Sequence, residues 1–346
     1  MSANKPVTIS VDLMGGDNAP WAVIDGIDMV CEYNPDVKFV CFGNMAMVAP
    51  IINKRPKLRA VCTLRHSDET ISSGEKPSQA LRKGRNSSMY QAIDAVKRGE
   101  ADAVFSAGNT GALMAMSKIC LGMIPGVYRP AIIAQMPTLV EGKSVTLLDL
   151  GANTEADSDT LVQFALMGTV YASAVSGVQK PKVGLLNIGE EDLKGRDEIK
   201  VASAYLRENA GNMPFEYSGF VEGNDISKGK VDVFVTDGFT GNVSLKTVEG
   251  TVKLVMGIMK NLIKKSLVAK VCAILALPLL YKMRKAADYR LYSGAMFIGV
   301  DGISVKAHGH SDALGIYYGA MRAVKLVDYD IIKIIKEQVE SCNLIR

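Results

Sequence analysis

The sequence lacks the signature motifs of several common enzyme classes. No two of its 32 glycines are separated by a single residue, so the dinucleotide-binding fingerprint is absent. No G-x-S-x-G elbow occurs and no cysteine forms an obvious pair with a nearby histidine, so covalent serine or cysteine catalysis has no visible nucleophile. The three histidines are too few and too dispersed for an ordinary metal cluster, although His308 and His310 form a close pair. We therefore expect no metal and no cofactor.

Paired cysteines and an apolar leader are also missing. The six cysteines are scattered without a C-x-x-C pair, which is typical of buried thiols in a reducing compartment. The first residues run into a predicted strand without a hydrophobic signal core, which favours a cytoplasmic location. The formal net charge of +4 does not indicate a nucleic-acid partner, and we expect none.

One short motif imitates a nucleotide-binding loop. Gly142-Lys143-Ser144 resembles the end of a P-loop, but the position that requires the first glycine is Pro137. The segment also precedes a predicted strand instead of following one. We interpret it as a hairpin turn between strands at about 131–136 and 144–150.

Apolar strand-like runs alternate with helical patterns along almost the whole chain. Runs such as 145–150 and 183–188 are nearly continuous, which indicates a sheet buried on both faces. Repeated strand–helix–strand order predicts an α/β fold with a doubly wound, mostly parallel sheet. Long helices are predicted over 77–98 and 158–176, with a helical region from about 242 to 287. No linker interrupts the pattern, so we expect a single domain over residues 1–346.

Glycine, asparagine and threonine recur directly after the predicted strands. Such loops at the carboxyl ends of parallel strands converge on one crevice, where glycine allows close backbone approach and helix N-termini offer N–H groups. Any one loop alone is explained better by turn chemistry and helix capping than by a binding site. Five in equivalent positions favour a site for an oxyanion. They lie at 14–18, 106–111, 149–154, 187–195 and 236–242.

The stretch 253–290 carries nine basic residues against a single acid, Asp288. Its apolar run at 271–281 is too short for a membrane span, which needs about 20 residues. A cationic amphipathic helix pair can lie in a membrane interface or pack against a twin subunit, and the sequence leaves both open. We expect a protruding helical excursion over 242–290. If it meets a membrane, the contact residues are Leu275, Leu277, Leu279 and Leu280.

Several loops together resemble the motifs of a known family. The segments 14–20, 106–114, 148–153, 183–191, 237–250 and 306–309 are similar, in this order, to those of the bacterial phosphate acyltransferases, the acyl-[acyl-carrier-protein]:phosphate acyltransferases of phospholipid synthesis. The resemblance covers nearly the whole chain. It implies a three-layer α/β/α fold related to phosphotransacetylase.

The resemblance also implies an activity and partners. Family members transfer a fatty acyl group from acyl-carrier protein to inorganic phosphate, without a covalent enzyme intermediate. The acyl phosphate then passes to a membrane glycerol-3-phosphate acyltransferase. The resemblance further implies a homodimer that is cytoplasmic and peripherally membrane-associated. An acidic carrier protein requires a basic docking face, which Lys76, Arg82, Lys83 and Arg85 or the 253–290 stretch can provide.

The expected site residues follow from this reaction. Phosphate binding is assigned to Gly15, Gly16, Asn18, Asn109, Thr110 and Gly111. Carbonyl polarisation or charge balance is assigned to Asn187, Asn242 and Lys246. His308 is the candidate acid for the departing thiolate, although a strand-end histidine bonded to backbone explains it equally well.

Two other functions remain open at this stage. A phosphotransacetylase that uses coenzyme A has the same fold and reaction type. A membrane-peripheral scaffold without enzymatic activity would also need the basic helices.

Overall fold

The computed structural model describes residues 6–286 and 288–342. Eleven strands within these ranges form one sheet of order β3-β2-β1-β4-β11-β10-β5-β6-β9-β7-β8. The strands are β1 (Thr8–Asp12), β2 (Lys38–Gly43), β3 (Cys62–His66), β4 (Ala103–Ser106), β5 (Ala131–Pro137), β6 (Ser144–Leu148), β7 (Lys182–Leu186), β8 (Glu216–Val221), β9 (Val233–Val235), β10 (Ala295–Ile298) and β11 (Ile303–Lys306).

Helices cover both faces of this sheet. They are α1 (Trp21–Tyr33), α2 (Met45–Ile52), α3 (Pro56–Val61), α4 (Pro77–Lys83), α5 (Ser88–Lys97), α6 (Thr110–Leu121), α7 (Ser158–Ser176), α8 (Asp197–Glu208), α9 (Gly223–Lys228), α10 (Gly238–Lys265), α11 (Leu267–Leu275), α12 (Leu277–Ala286), α13 (Ala313–Asp328) and α14 (Ile331–Ser341). One apolar core lies under α1, α7, α13 and α14, and a second lies under α4, α5, α6 and α9. The expected three-layer α/β/α fold with a mostly parallel sheet is confirmed.

The sheet consists of two parallel halves that run in opposite directions. β5 pairs antiparallel with both β6 and β10, and β10 pairs antiparallel with β11. Consequently β1, β2, β3, β4, β5 and β11 point one way, while β6, β7, β8, β9 and β10 point the other. The expectation that five loops share one edge is therefore wrong, because the β5–β6 hairpin reverses the chain direction in mid-sheet.

Of the local predictions, one helix and the hairpin turn are confirmed, and the helix over 77–98 is wrong in that it is interrupted. The helix at 158–176 is confirmed, and 142–144 lies in the turn of the β5–β6 hairpin, with Gly142 at φ +75°. The helix predicted over 77–98 is broken into α4, a 3₁₀ turn and α5. Ser87 breaks it, because its backbone is extended and its hydroxyl accepts from Tyr90 N to cap α5.

The helical region near the C-terminal third begins earlier than predicted. Asp237 caps α10 by accepting from Thr240 N, so Asn242 lies within a helix and not in a loop. Beyond its first turn α10 has no buried residue, and α11 has none. Leu262, Leu267 and Leu275 are between 63% and 78% exposed. No helix of the described residues is long and apolar enough to cross a membrane.

Candidate active site

Two edges of the sheet carry the polar loops. We call the ends of β1, β4 and β11, with loops 13–18, 107–111 and 307–311, the Asp12 edge. The ends of β6, β7 and β9, with loops 149–154, 187–195 and 236–237, form the Asp149 edge. Each edge is named for a carboxylate that is fully buried there.

Asp12 is enclosed by hydroxyl and backbone donors. Ser88 Oγ donates to Oδ1 at 2.6 Å and Ser106 Oγ donates to Oδ2 at 2.7 Å, while Met14 N reaches Oδ1 at 3.2 Å. Burial raises the pKa of Asp12, and these hydrogen bonds oppose the increase only in part. Gly15 is required beside it, because a Cβ there would lie 2.5 Å from Oδ2 and 2.7 Å from Gly108 N.

The remaining residues of the first loop tie it to the loop after β11. Gly16 has φ +104°, and a Cβ there would lie 3.1 Å from Gly309 O. Asp17 N donates to Gly309 O at 2.9 Å, and its carboxylate forms an ion pair with His310. Asn18 Nδ2 donates to the carbonyls of His310 and Ser311 at 3.3 and 3.2 Å. These contacts hold the two loops together, and they occupy the amide of Asn18.

Asn109 has both ends of its side chain engaged by backbone. Its Oδ1 accepts from Ala112 N at 3.0 Å and caps α6, and its Nδ2 points at the carbonyls of Ser72, Ser73 and Glu75. Thr110 and Gly111 form the first turn of α6, whose leading N–H groups have no partner inside the helix. A Cβ on Gly111 would meet Pro77 Cγ at 2.8 Å. Asn109 thus positions the loop and accepts from Ala112 N, and the N–H groups of Thr110 and Gly111 are the donors at the helix start that could face an anion.

The Asp12 edge also holds a lysine that the sequence reasoning did not select. Lys306 ends β11, is 8% exposed, and donates to the carbonyls of Ala107, at 3.3 Å, and of Ala307. Burial lowers its pKa to about 8, with Lys246 acting in the same direction and Asp17 and Asp12 against it. A lysine closing the apolar run Ile303–Lys306 was the available signal, since unpaired lysine is rarely buried.

His308 lies two residues further on. Its Nδ1 accepts from His310 N at 3.4 Å, which is a long contact. Desolvation of the ring lowers the pKa of His308, and the charges of Lys246 and Lys306 add to this effect while Glu249 opposes it. The imidazole is therefore mainly neutral at pH 7.

At the Asp149 edge a buried carboxylate organises a loop. Asp149 Oδ1 accepts from the backbone N–H groups of Ile132, Gly151 and Ala152 at 2.9–3.0 Å. Its Oδ2 accepts from Asn153 N at 2.7 Å and Asn153 Nδ2 at 2.9 Å. Five donors fix the 149–153 loop against the start of α10, where a Cβ on Gly241 would overlap Asp149 O.

A cavity of about 570 Å³ opens between this loop and α10. Asn242 and Lys246 line it from consecutive turns of the helix, opposite Gly151 and Thr154, and Phe239 adds an apolar wall. Lys246 also forms an ion pair with Glu249 at 2.9 Å. Lys246 and Glu249 lie on α10, which begins at the Asp149 edge, and their charges act on His308 at the Asp12 edge. Thus α10 connects the two groups of predicted residues.

Asn187 and the leucines lie apart from this arrangement. Asn187 Nδ2 donates to Lys194 O at 3.0 Å, its Oδ1 has no partner among the described residues, and it does not line the cavity. Leu275, Leu277 and Leu279 are 58–78% exposed on α11 and α12, and Leu280 is partly buried. Within the described part of the chain, no three His, Cys, Asp or Glu residues are grouped to hold a metal ion.

The fold that carries this cavity is also found in solved structures. Among solved structures, the chain resembles a phosphotransacetylase from Streptococcus pyogenes at a TM-score of 0.63 and 14% identity, covering 94% of this chain and 95% of that one. It also resembles the EutD phosphotransacetylase from Staphylococcus aureus at a TM-score of 0.59 and 15% identity, covering 94% of each chain. At these identities the likeness establishes the fold alone.

Sequence relatives are much closer. A family model described as "Fatty acid synthesis protein" matches residues 7–334. A phosphate acyltransferase of Paramagnetospirillum magneticum is 50% identical over 93% of this chain and 91% of its own length. Another from Rhodospirillum rubrum is 48% identical over 99% of this chain and 97% of its own length. The chain therefore belongs to the phosphate acyltransferase family of fatty acid synthesis proteins and is an acyltransferase.

Proposed function

We propose that this protein transfers a long-chain fatty acyl group from acyl-carrier protein to inorganic phosphate, giving acyl phosphate for phospholipid synthesis. The observation that carries the proposal is the match to phosphate acyltransferases at about half identity over nearly the full chain. The charges of Lys246 and Lys306 support it, since each opposes protonation of the His308 ring, Lys246 also lowers the pKa of Lys306, and a bound anion would relieve the repulsion between the two lysines.

The chemistry requires positioning more than activation. A phosphate oxygen attacks the thioester carbonyl carbon, a C–O bond forms, and the C–S bond breaks as the tetrahedral oxyanion collapses. Holding the two reactants in attack geometry supplies about 7–11 kcal/mol. Phosphate is assigned to the Asp12 edge, where Gly15, Gly16 and the start of α6 at Thr110 and Gly111 offer backbone N–H groups.

The carbonyl is assigned to the cavity along α10. Asn242 provides a neutral amide donor and Lys246 a cation, and both suit an oxygen that develops negative charge. Phe239 and Val243, which are 64% and 51% exposed, supply apolar surface for the first carbons of an acyl chain. In this assignment Asn187 holds the 187–195 loop and acts on the carbonyl only through that loop.

The proton balance assigns a role to His308. The phosphate loses a proton as acyl phosphate forms, and the departing thiolate gains one. Because its pKa is lowered, His308 is neutral at pH 7 and must accept a proton before it can donate one. We therefore assign it the transfer of the phosphate proton to the thiolate.

Carrier protein is acidic and needs a basic surface beside the site. Lys76, Arg82, Lys83 and Arg85 are exposed on and around α4. This segment is tied to the start of α6 through Asn109 and Pro77. We place carrier-protein docking here, within reach of the Asp12 edge.

A direct assay tests the donor. Purified protein receives phosphate with either palmitoyl-carrier protein or palmitoyl- and acetyl-coenzyme A, and acyl phosphate is trapped as the hydroxamate. We expect turnover with the long-chain carrier-protein thioester. Turnover of acetyl-coenzyme A alone would identify a phosphotransacetylase. Absence of acyl phosphate together with intact vesicle binding would favour a scaffold.

We further propose that residues 1–346 act as one domain whose excursion at 242–290 contacts the twin subunit, the membrane or both. Exposed leucines on α11 and α12 and the basic residues around them support this contact. Peripheral attachment would release the product close to a membrane glycerol-3-phosphate acyltransferase.

One matched pair of variants separates the two surfaces. Leu275→Asp puts a charge on α11, and Leu139→Asp puts one on the β5–β6 turn at a similar exposure of 84%. We expect only the first to release the protein from vesicles of anionic phospholipid. Loss of the dimer in sedimentation, with vesicle binding unchanged, would assign the leucines to the subunit interface instead.

A further inference from the structure

Lys306 is a buried cation that has no anionic partner in residues 6–286 and 288–342. Its Nζ bonds only to backbone carbonyls, and among the described residues no carboxylate lies within ion-pair distance of it. Of the two acids whose charges act on it, Asp17 is paired with His310 and Asp12 is held by two serine hydroxyls. Burying a charged group is costly unless another charge compensates it. The part of the chain that the structure describes does not supply that compensation.

The surroundings of Lys306 favour an anion from outside. The carbonyl of Ala107, which accepts from Nζ, lies three residues before α6, whose first N–H groups have no partner inside the helix. Gly16 packs on the other side, since a Cβ there would lie 3.1 Å from Ala107 Cβ. Lys246 adds a positive donor, and its charge lowers the pKa of Lys306. His308 adds a neutral donor, and the charge of Lys306 lowers its pKa. Backbone donors, side-chain donors and a buried ammonium thus surround one position.

We propose that Lys306 binds the phosphate nucleophile, its ammonium compensating the dianion at the start of α6. The assignment rests on the proposed function for the identity of the anion. Because phosphate is held non-covalently until it attacks, Lys306 contributes to its binding and orientation and forms no bond to the acyl group.

Kinetics of three variants test the assignment. Lys306→Met keeps the apolar stem and removes the charge, and Lys306→Arg keeps the charge. Lys325→Met is the control for the loss of a lysine-to-carbonyl hydrogen bond, because the Nζ of this more exposed lysine donates to Val175 O at 2.6 Å on the opposite face of the sheet. We expect Lys306→Met to lower kcat/KM for phosphate roughly 10- to 150-fold, the value of a hydrogen bond to a charged group. The KM for the acyl thioester should change little.

The arginine variant should recover part of the phosphate dependence, and Lys325→Met should leave it unchanged. A Lys306→Met enzyme with wild-type kcat/KM for phosphate would overturn the assignment. So would an equal loss for phosphate and thioester, which indicates a general distortion of the site.

A binding measurement on the unmodified chain covers the case in which Lys306→Met does not fold. In wild-type protein with ¹³C-labelled lysine, the Lys306 resonance, assigned with Lys306→Arg, is titrated with pH in the presence and absence of inorganic phosphate. We expect phosphate to shift its titration to higher pH, because the bound anion stabilises the ammonium. Identical titrations would overturn the proposal. The result does not depend on turnover, so a failure of the proposed function is distinguishable from a failure at Lys306.

Discussion

The two edges of the sheet bury a carboxylate each and use it differently. Asp149 accepts five N–H bonds from residues of its own loop and from Ile132, so its charge is fully used in holding backbone. Asp12 receives two hydroxyl bonds and backbone N–H groups, and burial still raises its pKa. Beside it lies Lys306, whose pKa is lowered to about 8.

This difference separates scaffolding from ligand binding. With five donors from the chain, Asp149 itself has no capacity left for a ligand, and it fixes the loop that lines the cavity along α10. At the Asp12 edge an acid and a base both have pKa values displaced toward their neutral forms, which is the electrostatic pattern of functional sites. The comparison therefore supports the proposed anion binding at the Asp12 edge, and it indicates that Asp149 holds its loop against the start of α10.

The largest expected effect comes from Asp149→Asn. In either orientation of the new amide, its NH₂ group would face backbone N–H groups, which are also donors and are fixed in place. We expect the free energy of unfolding to fall by about 3–5 kcal/mol, as for a buried charge whose partners are left uncompensated. Urea denaturation followed by circular dichroism measures it.

Glu340→Gln on α14 is the control, because this side chain is exposed. A loss below about 1 kcal/mol for Asp149→Asn would mean that the loop tolerates the missing charge, and the contrast between the edges would disappear.

Asn109→Ala has the next largest expected effect. It removes the cap of α6 and the anchor of residues 72–75, so we expect a loss of about 1–2 kcal/mol and faster proteolysis at 72–75. Turnover should fall as well, because the loop before α6 is no longer held. Asn44→Ala is matched, since Asn44 caps α2 by accepting from Met47 N at 3.3 Å. If both variants behave alike in proteolysis and kinetics, Asn109 is only a cap.

Asp12→Asn should have a smaller effect that depends on pH. Because the folded pKa is raised, the folded state binds the proton more readily than the unfolded chain. The contribution of Asp12 to the free energy of unfolding of the wild type is therefore greatest at low pH, and it falls as the pH rises through the pKa of Asp12 in the folded state. The amide removes that decline, and the serine hydroxyls can rotate to accept from it.

We expect Asp12→Asn to differ from wild type by about 1 kcal/mol or less at pH 7. The free energy of unfolding of the variant, relative to that of the wild type, should increase from pH 3.5 to 7 in urea titrations. A relative stability that worsens with rising pH would show that the charge of Asp12 stabilises the fold, as that of Asp149 does.

Much of the fold could be predicted from local pattern. The apolar runs that contain 145–148 and 183–186 predicted strands because both faces of the sheet are covered, and the helix predicted over 158–176 has those bounds in the structure. Strand direction could not be read in the same way, because it depends on pairing between distant segments. The β5–β6 hairpin was predicted, but the separation of the five loops between two edges, which the hairpin causes, was not.

The site was less predictable, for a physical reason. Asn109 and Asn18 carry the residue type expected of a ligand, yet their amides bond to backbone. Composition and spacing cannot distinguish a donor facing a ligand from one facing a carbonyl. Lys306 was overlooked because its importance arises from burial, which appears only when β4, β11 and α6 come together.

The smallest expected effect is that of Glu249→Gln on α10. The ion pair with Lys246 is exposed, so stability should change by less than about 0.5 kcal/mol. Glu249 raises the pKa of His308, whereas Lys246, Lys306 and His310 lower it, so removing the acid should lower that pKa further. The acid limb of the pH–rate profile should shift to lower pH, and the His308 Cε1–H resonance should report the same shift. Glu337→Gln, which breaks a comparable pair with Lys333 on α14, should leave both unchanged. An unshifted His308 titration would mean that α10 does not act on the Asp12 edge, so the cavity and Lys306 would no longer belong to one site.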